Sequence, residues 1–127
     1  SFTVEGLNSN DKFKNDLDTF LPQLLKIIAN NKESIQTINI KSFTSSEHRK
    51  FKEHYESLQA NKELSVRRAN KVKQYFVELS QNSKLDFNWF SRNITTDGMG
   101  SIDLVKTPTG NEDKDASRRI VIEIIKR

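Results

Sequence analysis

The stretch NKELSVRRANKVKQYF, residues 61–76, decides the fold of this chain because it has the pattern of an amphipathic helix. Ser65 is a favourable N-cap residue, since its hydroxyl can accept a hydrogen bond from a free amide of the first turn. Leu64 before it and Ala69 four residues after it occupy the positions of a hydrophobic staple. Apolar residues then recur at steps of three and four residues: Ala69, Val72, Phe76 and Leu79. This pattern predicts a helix that begins at Ser65 and fades near residue 80.

Two arginines, Arg67 and Arg68, fall in the first turn of this predicted helix. A cation in the first turn faces the positive end of the helix dipole and destabilises the helix slightly. A bound anion would reverse that cost, because free amides and guanidinium groups both attract negative charge. The two arginines therefore raise the question of whether this helix start binds a ligand.

The segments before this helix predict a strand, a helix, a second strand and a charged helix. Residues 2–6 have the composition of an edge strand. A helix is expected over about residues 20–30, because Pro22 is tolerated only in a first turn. Ile38 and Ile40 alternate with polar residues, which predicts a central strand. Residues 45–60 are strongly charged and are interpreted as a short helical insertion.

The segments after it predict two more strands separated by a long loop. The first strand is indicated by the alternation of Leu85, Phe87 and Trp89 with polar residues. The second is residues 118–127, in which both faces of the alternating pattern are partly apolar. The loop over residues 95–116 carries three glycines and a proline. The order predicts an α+β fold, with a small mixed sheet of about four strands and two or three helices packed on one side.

Bulk composition limits the classes of function. The chain has 127 residues, contains no cysteine and carries a net charge of +4. We expect a single domain over residues 1–127, without disulfides or thiolate metal sites. No apolar run approaches the roughly 18 to 20 residues that a membrane span requires, and no secretory signal opens the chain. We expect this chain to be a fragment of a longer membrane-anchored protein, with the anchor outside it.

The sequence contains no pattern that predicts catalysis. His48 and His54 lack the i, i+4 spacing of a helical zinc pair, so no metal site is expected. The glycines Gly98 and Gly100 do not belong to a phosphate-binding loop motif. No serine nucleophile motif is recognisable. We expect a protein that is not an enzyme and that requires no cofactor.

A nucleic-acid interface is also not favoured. Lysines and arginines cluster around Arg67, but glutamates are interleaved with them along the same stretch. The aromatic side chains of Phe76 and Trp89 fall at positions predicted to point into the core. A platform for stacking bases would require exposed aromatic rings. A cytosolic nucleic-acid binder is therefore ranked third, behind two kinds of domain that bind other macromolecules.

The order of four phrases resembles the OmpA-like C-terminal domain, the peptidoglycan-binding family that includes OmpA, Pal and MotB proteins. The family's middle phrase, N-x-x-L-S-x-x-R-A-x-x-V, is matched position for position by six residues: Asn61, Leu64, Ser65, Arg68, Ala69 and Val72. Gly98 and Gly100 match the family's glycine phrase, and Arg118 and Arg119 match the phrase that opens its last strand. The resemblance covers about residues 20–127 and implies a β-α-β-α-β-β order.

The resemblance implies a binding site for the diaminopimelate stem peptide of peptidoglycan. The candidate binding residues are Ser45, Asn61, Leu64, Arg68, Arg118 and Arg119. Arg68 is expected to pair with a ligand carboxylate, assisted by Asn61 and the amides of the helix start. Of Arg118 and Arg119, alternation sends one to each face, so one is expected to support the site and the other to be solvated. Arg67 has no counterpart in the family pattern and is interpreted as a solvated charge.

The sequence departs from the family pattern at the position that recognises the ligand's ammonium group. The family has an aspartate there, whereas this chain has Ser45. A serine can hydrogen-bond an ammonium but cannot neutralise it, and losing a charge-assisted contact costs about 1.5–3 kcal/mol. Glu47 or another acid in the charged insertion could substitute. Ser117 also replaces the asparagine that precedes the two arginines in the family.

The resemblance implies a periplasmic domain that binds peptidoglycan and anchors a membrane protein, in the inner or outer membrane, to the cell wall. Its partners would be peptidoglycan and a second copy of the chain in a homodimer, and not nucleic acid. The alternative is a degenerate member of the family. Such a domain would serve dimerisation or protein interaction in an envelope or motor-like complex without binding peptidoglycan.

Overall fold

The computed structural model describes residues 2–5, 10–46 and 54–127. Four strands and four α-helices are found in these ranges, with a short 3-10 turn after the first helix. In chain order they are β1 (Phe2–Glu5), α1 (Asn10–Asn31), the turn Lys32–Ser34, β2 (Ile35–Phe43), α2 (His54–Asn82), α3 (Phe87–Asn93), β3 (Ile94–Gly100), α4 (Lys114–Ser117) and β4 (Arg119–Lys126). The predicted α+β class, with a small mixed sheet, is confirmed.

The strands form one sheet in the order β1-β4-β2-β3. β4 pairs antiparallel with β1 on one side and with β2 on the other, whereas β2 and β3 are parallel. Ile40 marks the middle of the sheet, opposite Ile122 on β4 and Thr96 on β3. The last segment of the chain therefore fills the interior of the sheet, as its two apolar faces suggested.

The core lies between one face of the sheet and the helices. The buried side chains of the strands are isoleucines at alternate positions, among them Ile38, Ile40, Ile120 and Ile122. They pack in one cluster with leucines of α1 and with Ala69, Val72, Phe76 and Phe90 of α2 and α3. On the opposite face, Asn39 donates to Thr95 (2.9 Å) and Asp97 (3.0 Å). The helices thus pack on one side of the sheet.

Helix α2 is longer than the sequence predicted, and Ser65 is not its N-cap. The helix begins at His54, so the described part of the charged segment, residues 54–60, continues directly into the motif phrase that starts at Asn61. The buried stripe of Ala69, Val72 and Phe76 extends back to Ser65 and Asn61 at helical spacing. This face of the helix is buried in the tertiary structure as far back as Asn61. The helix therefore extends through Ser65, although serine favours N-cap positions. The predicted helix start at Ser65 is wrong.

The strand predicted around Leu85, Phe87 and Trp89 is also wrong, because Phe87 and Trp89 lie in helix α3 and Leu85 precedes it. Asp86 caps this helix by accepting a hydrogen bond from the amide of Trp89 at 3.2 Å. Phe90 is the buried residue of α3, and its ring meets that of Trp89 edge-on at 5.1 Å. The third strand begins nine residues after Leu85, at Ile94–Gly100, largely in the segment interpreted as a loop.

Helix α1 begins ten residues earlier than the predicted start at residue 20 and contains Pro22 in its interior. An internal proline loses a backbone hydrogen bond and costs roughly 3 kcal/mol. Burial of Leu21, Leu24, Leu25 and Ile28 offsets that cost, because all four are almost fully inaccessible. Within the described ranges, none of the helices combines the length and the apolar character needed to cross a membrane.

Candidate functional site

The residues singled out from the sequence lie at one end of the sheet. Ser45 follows β2, and Arg118 and Arg119 lie where α4 meets β4. Asn61, Leu64 and Arg68 lie on the N-terminal half of α2. The contact of α2 with β3 brings this half of the helix over the C-terminal ends of the two parallel strands. The fold thus collects residues from three separate parts of the chain.

Arg68 is a half-buried cation in a positive environment. Its pKa is lowered from the ordinary arginine value, first by burial, then by the charges of Arg118 and Arg67. All three causes disfavour the charged form, and arginine remains charged nevertheless because its ordinary pKa is so high. An anion that reached this place would relieve the repulsion between the guanidinium groups. The electrostatics of Arg68 therefore favour an anionic ligand.

The predicted help from helix amides is absent, because Arg68 lies about four turns after the start of α2. The amides around Ser65 are inside a continuous helix that begins at His54. The electrostatic contribution of a helix terminus fades within its first turn. Positive charge at this site comes from the arginine side chains rather than from the dipole of α2.

The structure separates the roles of Arg118 and Arg119. Arg119 is 9% exposed and its guanidinium lies 4.0 Å from the centre of the Phe43 ring. It donates to the carbonyl oxygens of Asp103 (3.1 Å) and Ser117 (3.2 Å), and pairs with the Asp103 carboxylate at 3.3 Å. Arg119 therefore holds the end of the sheet together. Arg118 is half-buried and acts electrostatically on Arg68.

Ser45 and Asn61 are deeply buried, at 2% and 1% exposure. The side-chain amide of Asn61 donates to the carbonyl of Ser46 at 3.5 Å, a long hydrogen bond that links α2 to the segment after β2. Leu64 is half-buried one turn further along the helix. Asn61 and Ser45 are thus brought to the same end of the site, and Arg68 lies two helical turns beyond Asn61.

Ser65 fastens strand β3 to helix α2. Its hydroxyl accepts a hydrogen bond from the Gly100 amide (2.9 Å) and donates to the Lys62 carbonyl (2.7 Å). Gly98 permits this close packing, since a Cβ there would come within 2.4 Å of the Val66 nitrogen. Gly100 adopts a left-handed conformation with φ of 60°. The serine and the glycines of the two motif phrases therefore shape the site through packing.

Glu112 is a residue of the site that the sequence did not reveal. Its carboxylate accepts hydrogen bonds from the amide (2.9 Å) and the hydroxyl (2.6 Å) of Ser46. The contact joins residues 66 positions apart, so no local spacing could have indicated it. Glu47, the acid suggested by the sequence, lies outside the described residues.

Two buried hydroxyls beside this segment lack a hydrogen-bond partner in the part of the chain that the structure describes. They are the Ser42 Oγ at the end of β2 and the Thr44 Oγ1 just after it. In the described ranges, no three histidine, aspartate or glutamate side chains are grouped so as to hold a metal ion. His54 begins α2, and His48 lies outside the described residues.

Comparison with known proteins reveals two kinds of similarity, in sequence and in fold. The Zorya protein ZorB of Escherichia coli is 29% identical over 123 residues, which cover 94% of this chain and 52% of that protein. The chain therefore spans about half the length of this curated relative. The periplasmic domain of Helicobacter pylori MotB has a TM-score of 0.61 at 19% identity, over 87% of this chain and 62% of that one.

The peptidoglycan-associated lipoprotein of Burkholderia pseudomallei has a similar fold. Its TM-score is 0.59 at 14% identity, over 88% of this chain and 78% of that one. A model of the OmpA family matches residues 8–118, a range that includes β2, α2, β3 and the loop that carries Glu112. The resemblance seen in the sequence is confirmed, and this chain belongs to the OmpA family.

Proposed function

We propose that this chain is a non-catalytic domain that binds peptidoglycan in the periplasm and anchors a membrane protein to the cell wall. The observation that carries the proposal is the half-buried, positively surrounded Arg68 on the family's motif helix. Two solved structures with a similar fold support the proposal. One is described as a periplasmic domain and the other as a peptidoglycan-associated lipoprotein. The membrane segment would belong to a part of the protein outside this chain.

The proposed ligand is the free end of the diaminopimelate side chain in the stem peptide, which carries an ammonium and a carboxylate. The Arg68 guanidinium would bind the carboxylate in a bidentate fork. Arg118 would add a second positive charge, and Leu64 would line the approach along α2. The buried Asn61 would hold the segment after β2 in place through Ser46. Arg119 would position Arg118 by holding the start of β4 against Phe43.

Arg68→Ala tests the carboxylate half of this proposal. Loss of a charge-assisted hydrogen-bonded pair costs about 1.5–3 kcal/mol, so binding to purified peptidoglycan sacculi should weaken by roughly tenfold to a hundredfold. The measurement is co-sedimentation of the chain with sacculi over a range of concentrations.

Arg67→Ala is the matched control, because Arg67 is the exposed neighbour of Arg68 and its removal changes the net charge equally. The control should retain binding close to that of the wild type. If Arg68→Ala sediments with sacculi as well as Arg67→Ala does, Arg68 is not the carboxylate site. If no form of the chain sediments, the proposed function is wrong.

A second candidate function is a dimerisation or protein-interaction module that does not bind peptidoglycan. The observation that favours it is Ser45, which is 2% exposed and uncharged at the position of the family's ammonium-binding aspartate. Analytical ultracentrifugation separates the two candidates. A stable dimer that fails to sediment with sacculi would support the interaction module, whereas a sacculus-binding monomer would exclude it.

A further inference from the structure

Glu112 is presented to the site by a small, well-connected hairpin. Lys106 and Glu112 form an antiparallel bridge. The Thr107 amide donates to the Asn111 carbonyl (2.7 Å), and the Asp113 amide donates to the Val105 carbonyl (2.7 Å). Asp113 then caps α4 by accepting from the Ala116 amide at 3.1 Å. The backbone that carries Glu112 is therefore fixed on both sides.

The Glu112 carboxylate is held where the segment after β2 meets helix α2. Both of its oxygens accept from Ser46, and Asn61 donates to the Ser46 carbonyl. Each carboxylate oxygen can accept more than one hydrogen bond, so the two contacts with Ser46 leave room for a further donor. Glu112 is half-buried rather than enclosed. A negative charge is thus kept in a defined position and remains open to a ligand.

Arg68 lies on the same face of α2 as Asn61, whose partner Ser46 also holds Glu112. Asn61, beside the Glu112 contact, and Arg68 are seven residues apart, which corresponds to about 10 Å along the helix axis. Helical side chains lean toward the N-terminus, so the long Arg68 side chain shortens this gap. A ligand that meets both groups carries an ammonium for Glu112 and a carboxylate for Arg68.

We infer that Glu112 is the residue that recognises the ammonium group of the ligand, in place of a carboxylate at Ser45. The inference rests on the proposed function and assigns a residue of this chain to the ammonium of its ligand. An ammonium has three donors and no acceptor, and a fixed carboxylate meets it with a charge-assisted hydrogen bond. Ser46 serves as the positioning residue, because its two donors orient the carboxylate.

The test compares Glu112→Gln with wild type on two kinds of purified sacculi, one untreated and one with its free amines acetylated. Acetylation removes the ammonium charge and leaves the carboxylate intact. Wild type should bind untreated sacculi about tenfold more tightly than acetylated sacculi, the usual worth of one charge-assisted contact. Glu112→Gln should bind both kinds equally, at the level of wild type on acetylated sacculi.

Glu63→Gln is the matched control, since Glu63 is exposed on α2 close to Asn61 and the change in charge is identical. It should retain the preference for free amines. The readout is the ratio of the affinities of one protein for the two kinds of sacculi. Partial unfolding of a variant lowers both affinities by the same factor, so it leaves this ratio unchanged. Glu112→Asp, which retains the charge with a shorter reach, should keep part of the preference.

A retained amine preference in Glu112→Gln would overturn the inference. So would a wild type that binds both kinds of sacculi equally while Arg68→Ala still weakens binding, and in that case the proposed function would stand. If the wild type binds neither kind, the proposed function fails and the inference fails with it.

Discussion

At the residue scale, two buried serines should respond in opposite ways to the same substitution. The Ser42 Oγ is fully buried without a partner among the described residues, and such an orphan hydroxyl is costly. The Ser65 Oγ is equally buried but joins the Gly100 amide to the Lys62 carbonyl. Ser42→Ala should raise the free energy of unfolding by about 1 kcal/mol, whereas Ser65→Ala should lower it by about 1–3 kcal/mol. Urea denaturation of both variants checks the pair, and a loss of stability in Ser42→Ala would show that its hydroxyl has a partner.

At the element scale, the start of α3 should depend on pH through Asp86. The hydrogen bond from the Trp89 amide, followed by Lys32, lowers the pKa of Asp86 below its ordinary value. A group whose pKa is lowered in the folded state stabilises the fold above its unfolded pKa, and this stabilisation is lost as pH falls through the folded pKa. The NMR signal of the Trp89 amide should therefore shift as pH falls through the folded pKa of Asp86. The same signal in Asp86→Ala should not titrate, and titration there would assign the effect to another group.

The contact of β3 with α2 leads to a second prediction at this scale. A Cβ on Gly98 would lie 2.4 Å from the nitrogen and 2.7 Å from the Cα of Val66, and neither backbone atom can move without bending the helix. Gly98→Ala should lower the free energy of unfolding by at least about 1–3 kcal/mol, the usual cost of overpacking. Adding Val66→Ala should not restore stability in thermal unfolding, because both backbone atoms remain. Full rescue by Val66→Ala would place the clash at the Val66 side chain instead.

At the scale of the whole molecule, the sequence predicted the fold class and the central strands, and the fold brings its candidate site residues to one end of the sheet. Isoleucines at alternate positions identified β2 and β4, since alternation is typical of a strand with one face in the core. The boundaries of α2 could not be predicted, because Ser65 favours a cap locally while burial of the stripe from Asn61 to Phe76 favours one continuous helix. The alternation of Leu85, Phe87 and Trp89 is typical of a strand, but the segment forms helix α3. Asp86 caps this helix and the burial of Phe90 stabilises it, and neither is visible in the local alternation. Glu112 escaped prediction because its contact with Ser46 exists only in the folded chain.

The position of β4 determines when this molecule can fold. The last strand of the chain is an interior strand, and its residue Ile122 pairs with both Ile40 and Phe2 near the opposite end of the sequence. The sheet therefore cannot close until β4 has been synthesised. Closing a loop of this length costs conformational entropy and slows folding, so we expect the pairing of β1 with β4 to be among the late steps of folding. Before that step the chain lacks a complete sheet, and a shortened chain that ends before β4 would leave β1 and β2 without the strand that joins them.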